Sequence, residues 1–248
     1  IVFTDVDDIS NGAAYFYDNK IIIWTSPLDF ELRGSHRWLQ NVITHEFTHI
    51  VSIGRAQKFG KSIPGGYFQW IGYEVEKRPD VLYGYPNTLV SYPIPGTVVP
   101  PWLAEGAAQY MYPGADWDNW DSIRDMILRD RVLSDKMLNW REMNTFGKSG
   151  IGNESVYNNG FALTRYLVVT YGHDVLKKIM ESLSKPTNYS INKAIKEATG
   201  TIGIEIYNEF VNVLESRYNT LTHTVLAVSL THPDAADLPL RGCIGRSC

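Results

Sequence analysis

Cysteine is almost missing from this 248-residue chain; only Cys243 and Cys248 occur, both near the C-terminus. Two thiols cannot frame a core with disulfides, and they are too few for a cysteine-based zinc site. They either close one small loop in the tail or remain two ordinary thiols. Long apolar runs are also lacking. No stretch reaches about 18 residues, so no transmembrane span is expected. No basic block occurs, and the formal net charge of -4 argues against a nucleic-acid surface or a polybasic membrane anchor. There is no internal repeat, no low-complexity tract and neither glycine-rich pattern that cradles phosphates. Residue 1 leads directly into Ile1-Val2-Phe3-Thr4, without an initiator Met or the charged and apolar regions of a signal peptide, as in a trimmed or processed chain. With 44% hydrophobic and 20% charged residues, the composition is that of a globular protein of one large domain or two lobes.

What stands out is His45-Glu46-Phe47-Thr48-His49. Histidines four apart on a helix project from one face, one turn apart, and reach a single metal ion. Glu46 follows the first histidine, where a carboxylate can serve as base for a water activated by that ion. Three fixed residues recur by chance in roughly one chain in a hundred of this length. The motif therefore needs a third ligand from elsewhere.

Local patterns place this motif. Residues 1–6 and 13–17 read as strands, and Lys20 to Thr25 as a strongly β-prone strand after an Asp18-Asn19 turn. A helix is expected from about Ser35, as N-cap, to Ile53, with Gly54 just past its end. Trp38, Leu39, Val42, Ile43, Phe47, Ile50 and Val51 spread around this helix, which predicts burial in the domain centre. Residues 55–100, rich in aromatics, Gly and Pro, show no clean period. They are expected to form an irregular insertion, either a small aromatic cluster or a wall of a substrate cleft.

Pro101 opens a second helix, Trp102 to Met111. Glu105 sits there among Trp102, Leu103, Ala104, Ala107 and Ala108, where a carboxylate is costly unless ion-paired or metal-bound. As third ligand it completes a His, His, Glu set with one position left for water. Further helices are expected at 121–133, 155–171, 174–183, 191–198 and 204–218, with glycine-marked loops at 147–152. Residues 221–248 are expected to be a tail or a linker to further domains beyond the C-terminus. His36, His173, His223 and His232 lack ligand spacing and read as surface or loop histidines. The fold class is α+β: an N-terminal β hairpin lobe with the histidine helix (1–54), the insertion (55–100) and a mainly α-helical body (101–220).

The order of hairpin, His45-Glu46-x-x-His49 and Trp102-Leu103-Ala104-Glu105-Gly106 resembles the gluzincin metallopeptidases, the peptidase MA-like or thermolysin-like group. Tyr157-Asn158-Asn159-Gly160-Phe161-Ala162-Leu163 resembles the segment of its aminopeptidase branch that carries an oxyanion-binding tyrosine. The pattern on to Tyr218 is similar to peptidase MA-like domains of bacterial secreted proteins, so an extracytoplasmic or secreted location is implied.

Carried over, the resemblance implies a zincin-like fold in which His45, His49 and Glu105 bind Zn2+. Glu46 is the general base, and Tyr157 stabilises the tetrahedral oxygen. Gly12, Ala13, Ala14 and Tyr15 match the edge strand that aligns a substrate backbone. Gln109 stands where thermolysin-like members place an acidic residue beside a ligand histidine; an amide there orients the ring. The signature that binds a free amino terminus in aminopeptidases is replaced by Asn11-Gly12-Ala13-Ala14, which favours an endopeptidase acting on peptides or proteins. The alternatives are a catalytically silent, zinc-stabilised binding domain and a zinc amidohydrolase acting on a non-peptide amide.

Overall fold

The computed structural model describes residues 1–4, 10–16, 18–25, 38–59, 66–72, 88–94, 96–110, 120–146 and 150–231. The expected N-cap Ser35, the residues at 5–9 and 232–248, and hence Cys243 and Cys248, lie outside them. The architecture is α+β and mostly helical, with a small three-stranded sheet at its N-terminal end. Strands β1 (Val2–Thr4), β2 (Ser10–Tyr15) and β3 (Lys20–Thr25) are ordered β1-β3-β2. β2 runs antiparallel to β3, with Gly12 opposite Ile23, and β1 adds in parallel, with Val2 opposite Ile22. Asn19 takes φ 54° in the turn, as the Asp18-Asn19 signal requires. Ile21 and Ile23 alternate inward and are buried, so one sheet face packs on the following helix.

That helix, α1 (Trp38–Ala56), ends later than expected. Gly54 lies inside it, and the left-handed residue past its end is Phe59, at φ 62°. The expected burial all round is also corrected. Leu39, Phe47 and Val51 are exposed, Phe47 at 57%, on faces of the helix other than the one that meets the sheet, α2 and α6. The buried face carries Glu46 and His49. Beyond α1, Lys58 is buried and its Nζ donates to the carbonyls of Leu183 (2.9 Å), Lys185 (2.7 Å) and Asn188 (2.5 Å). The Leu183 and Lys185 carbonyls lie at the end of α6, the negative end of a helix dipole, and Asn188 in the loop after it, so the ammonium both caps that helix and anchors α1 to it.

The insertion is less irregular than expected. β4 (Gly66–Gly72) and β5 (Thr88–Ile94) form an antiparallel ribbon with Phe68 opposite Tyr92. Pro93 is tolerated because each strand of a two-stranded ribbon is an edge.

The body comprises α2 (Pro101–Tyr110), α3 (Ser122–Leu133), α4 (Trp140–Met143), α5 (Gly150–Tyr171), α6 (Val175–Ser184), α7 (Ile191–Thr199) and α8 (Gly203–Thr231). α5 begins five residues before the expected Ser155 and absorbs Gly150 and Gly152. Two helical glycines cost about 1 kcal/mol each, less than the burial of the residues that follow contributes. α8 continues past Tyr218 to Thr231, since neither Gly nor Pro intervenes between Gly203 and Pro233. Residues 221–231 of the expected tail are thus helical, and the rest of it lies outside the described residues. Gly172 (φ 88°) and Gly200 (φ 92°) end α5 and α7 as left-handed residues.

The main core is helical, centred on Trp102, Leu103, Leu163, Leu167, Ile179, Leu183 and Tyr218. α2 and α5 make its tightest crossing. A Cβ on Gly160 would stand 2.5 Å from the Trp102 carbonyl oxygen, and one on Gly106 would meet the Gly160 carbonyl and Thr164 Oγ1. Only hydrogens fit between the two backbones there. Gly160→Ala should destabilise the protein by about 1–3 kcal/mol, read as a lower denaturation midpoint in urea, whereas Gly54→Ala, with nothing within 4 Å of its Cβ position, should not.

Candidate metal centre

His45 and His49 lie on the inner face of α1, and Glu105 on the buried face of α2. The contact between these helices brings the three side chains together. His45 Nε2 and His49 Nε2 are 3.0 Å apart, and Glu105 Oε2 is 3.0 Å from the first and 3.4 Å from the second. His49 and Glu105 are each only 8% exposed. Among the described residues this is the group of histidine, cysteine or carboxylate ligands that could hold a metal ion.

The donor triangle fits such an ion. Tetrahedral bonds of about 2.0–2.1 Å separate ligand atoms by about 3.3 Å, close to the observed 3.0–3.4 Å. Without an ion, two ring nitrogens and a carboxylate oxygen converge on one point with protons for only part of their contacts. Metal ligation through both Nε2 atoms relieves this and leaves each histidine its proton on Nδ1. His49 Nδ1 is buried without a hydrogen-bond partner, and so is Gln109 Oε1, one turn beyond Glu105. One is a donor in that tautomer and the other an acceptor. The structure thus places Gln109 in the same buried region, 3% exposed, but forms no bond between the two.

The protonation states follow from burial and neighbours. Burial raises the Glu46 pKa above its ordinary value, against the pull of the histidine charges and a hydrogen bond from the Ala14 backbone. Burial also opposes a charged His49, but the hydrogen bond and charge of Glu105, with the charge of Glu46, outweigh it and raise its pKa. For Glu105 burial is overcome by the hydrogen bonds from His45 and His49, which hold its carboxyl well below the carboxylate range.

β2 sits directly over the base. A Cβ on Gly12 would lie 2.6 Å from Val42 Cγ2 and 2.8 Å from Glu46 Cγ, so glycine permits the strand to touch α1. The Ala14 amide bonds the Glu46 carboxylate, a positioning contact the sequence does not reveal. Of the four expected strand residues, Gly12 and Ala14 line the cavity at the centre, while Ala13 and Tyr15 do not. Strand alternation splits them. Tyr15 instead receives Lys20 Nζ at 4.7 Å from its ring. No second strand pairs with the outer edge of β2 among the described residues.

Tyr157, on α5, lies near His45, their rings 6.3 Å apart and inclined by 19°. Phe146 flanks Tyr157 on its other contact, at 6.2 Å. All these residues border one cavity of about 570 Å³, together with Arg124 and Glu154. Reading the sequence missed Arg124, Glu154 and Phe146. Arg124 alone carried a signal, as a cation in the first turn of a helix. His173 is exposed, as expected, and His36 and His232 lie outside the described residues. No described helix is long and apolar enough to cross a membrane. No protein-family model, curated protein or solved structure matches the chain.

The pH dependence of the chelated protein follows. His49, with its pKa raised from 6.5, contributes stability fully below pH 6.5, lost as pH rises through its folded value. Glu46, raised from 4.5, acts in the same direction, and Glu105, depressed from 4.5, stabilises above pH 4.5 and loses this on acidification. Thermal melts in chelator should therefore show the highest Tm at weakly acidic pH, falling towards pH 8. Added zinc should reverse that trend, since protons compete with the ion for the imidazoles.

Proposed function

We propose that this chain is a zinc-dependent peptidase of gluzincin-like, zincin-like architecture, cleaving peptide bonds within a chain. The observation that carries this reading is the convergence of His45, His49 and Glu105 beside Glu46 and Tyr157 in one cavity. Two imidazoles and one carboxylate are the donor set of a catalytic zinc site with an open position. When bound, the ion supplies Lewis acidity and a water nucleophilic near neutral pH.

The chain's own groups supply the rest. Glu46, with its pKa raised by burial, accepts a proton from the attacking water and returns it to the leaving amine nitrogen. The Ala14 amide holds that carboxylate under β2. The Tyr157 hydroxyl donates to the oxygen that becomes anionic as the carbonyl turns tetrahedral, an effect worth on the order of 100-fold. The outer edge of β2 supports binding of an extended substrate as an added strand. β2 contributes Asn11, Gly12 and Ala14 to the cavity and no carboxylate that would bind a free amino terminus, which favours internal cleavage.

The test uses zinc-loaded protein and a broad quenched-peptide library. Glu46→Gln should keep stoichiometric zinc while hydrolysis falls by about 100-fold or more. Tyr157→Phe should lower kcat on the order of 100-fold with zinc retained. Cleavage by Glu46→Gln at the wild-type rate would refute the mechanism.

A further inference from the structure

We propose that the free edge of β2 holds substrate through its carbonyls alone, so that the site requires peptides with main-chain N–H groups on two residues separated by one. This inference rests on the peptidase reading above and adds to it a requirement on the substrate backbone.

The hairpin fixes which way each peptide group of β2 points. In an antiparallel pair the N–H and C=O of one residue lie on the same side of the strand, and successive residues alternate sides. The Tyr15 carbonyl turns into the hairpin, where it accepts the Asp18 N–H at 3.2 Å. Ala13 and Asn11 share its side and face Ile22 and Trp24 of β3. Gly12 and Ala14 therefore direct their main-chain groups to the opposite side, the edge that no strand covers among the described residues. Both residues line the cavity that holds the metal centre.

An open strand edge presents N–H donors and C=O acceptors in a row. Here the donors are taken. The Ala14 N–H bonds the Glu46 carboxylate, and the Gly12 N–H donates to Asn11 Oδ1 at 2.9 Å. The first bond is to a carboxylate, the stronger kind, and it holds the base in place. The second is a cap supplied by one neighbouring side chain. What the edge has left for a substrate is the carbonyls of Gly12 and Ala14.

An added strand, parallel or antiparallel, meets two such carbonyls with the N–H groups of alternate residues. The residue between them turns its N–H away. A proline or N-methyl residue at either contact position has no donor to give and leaves an acceptor of the edge unpaired. Substrate carbonyls, by contrast, meet no free main-chain donor on β2. Strand addition at an ordinary edge would use both kinds of group.

The experiment uses zinc-loaded full-length protein and one peptide, taken from the library for its cleavage or, without cleavage, for its binding. The peptide is resynthesised in two series that leave the scissile bond untouched. One series replaces a single N–H by N–CH3. The other replaces a single carbonyl oxygen by sulfur, a weaker acceptor that keeps the N–H. kcat/KM is measured on wild type and Kd on Glu46→Gln protein. N-methylation should cause a loss of about fivefold or more at each of two positions, with the position between them tolerated. No thioamide should cause such a loss. Asn11→Ala, which frees the Gly12 N–H, should keep the N-methyl pattern and make one thioamide position sensitive.

N-methyl losses that do not alternate, or thioamide losses in wild type as large as the N-methyl ones, would overturn the inference. So would an Asn11→Ala protein that gains no thioamide sensitivity. Alternating losses in binding without hydrolysis by wild type would remove the peptidase reading and leave the acceptor edge in place. Hydrolysis with losses spread evenly along the peptide would do the reverse.

Discussion

Three donor atoms, His45 Nε2, His49 Nε2 and Glu105 Oε2, two of them from buried residues, meet within 3.0–3.4 Å of one another, and much of the remaining structure serves that meeting. Such a cluster is costly to bury in the absence of a cation. It is held by helices that cannot move apart without opening the core. α1 is fastened at its end by Lys58, whose ammonium takes three carbonyls at the end of α6 and in the loop that follows it. α2 is fastened by the glycine crossing with α5.

The same crossing links the parts of the site. Gly106 follows Glu105 directly, and Gly160 comes three residues after Tyr157. Bringing the two backbones together therefore sets the separation between the third donor and the phenol. On the other side, Gly12 lets β2 touch Val42 and Glu46, so strand and base share one position. Glycine is used at these points because a methyl group would collide with backbone or with the base itself. α3 is tied to the body through Asp125, which accepts from Trp120 Nε1 at 3.0 Å and Tyr218 OH at 2.9 Å. That places Arg124, the preceding residue, at the cavity wall.

Much of this was legible locally. The spacing of His45 and His49 needs only a helix, and Ser190 and Gly200 frame α7 through cap and stop signals that act within a few residues. Other features were not legible. The 66–94 ribbon is built from residues that follow one another without alternation, so neither strand shows its period. α5 absorbs Gly150 and Gly152 because burial further along the helix outweighs local propensity. The apolar residues around α1 read as a buried helix, yet Leu39, Phe47 and Val51 face outward. Composition tells how apolar a helix is, not how many neighbours it has.

By itself, the sequence determined the parts whose physics is local: a helix presenting two histidines on one face, a carboxylate beside them, a second helix with a glutamate among small residues, and the turns and caps between elements. Tertiary structure decided the parts that depend on distance along the chain. It brought Glu105 to the histidines across 60 residues, set Tyr157 beside His45, split Gly12 and Ala14 from Ala13 and Tyr15, and placed Arg124 in the wall of the cavity. The reason is that spacing along a helix or strand is set by covalent geometry, whereas the approach of two helices is set by what their surfaces allow. Here that was the absence of two Cβ atoms, at Gly106 and Gly160.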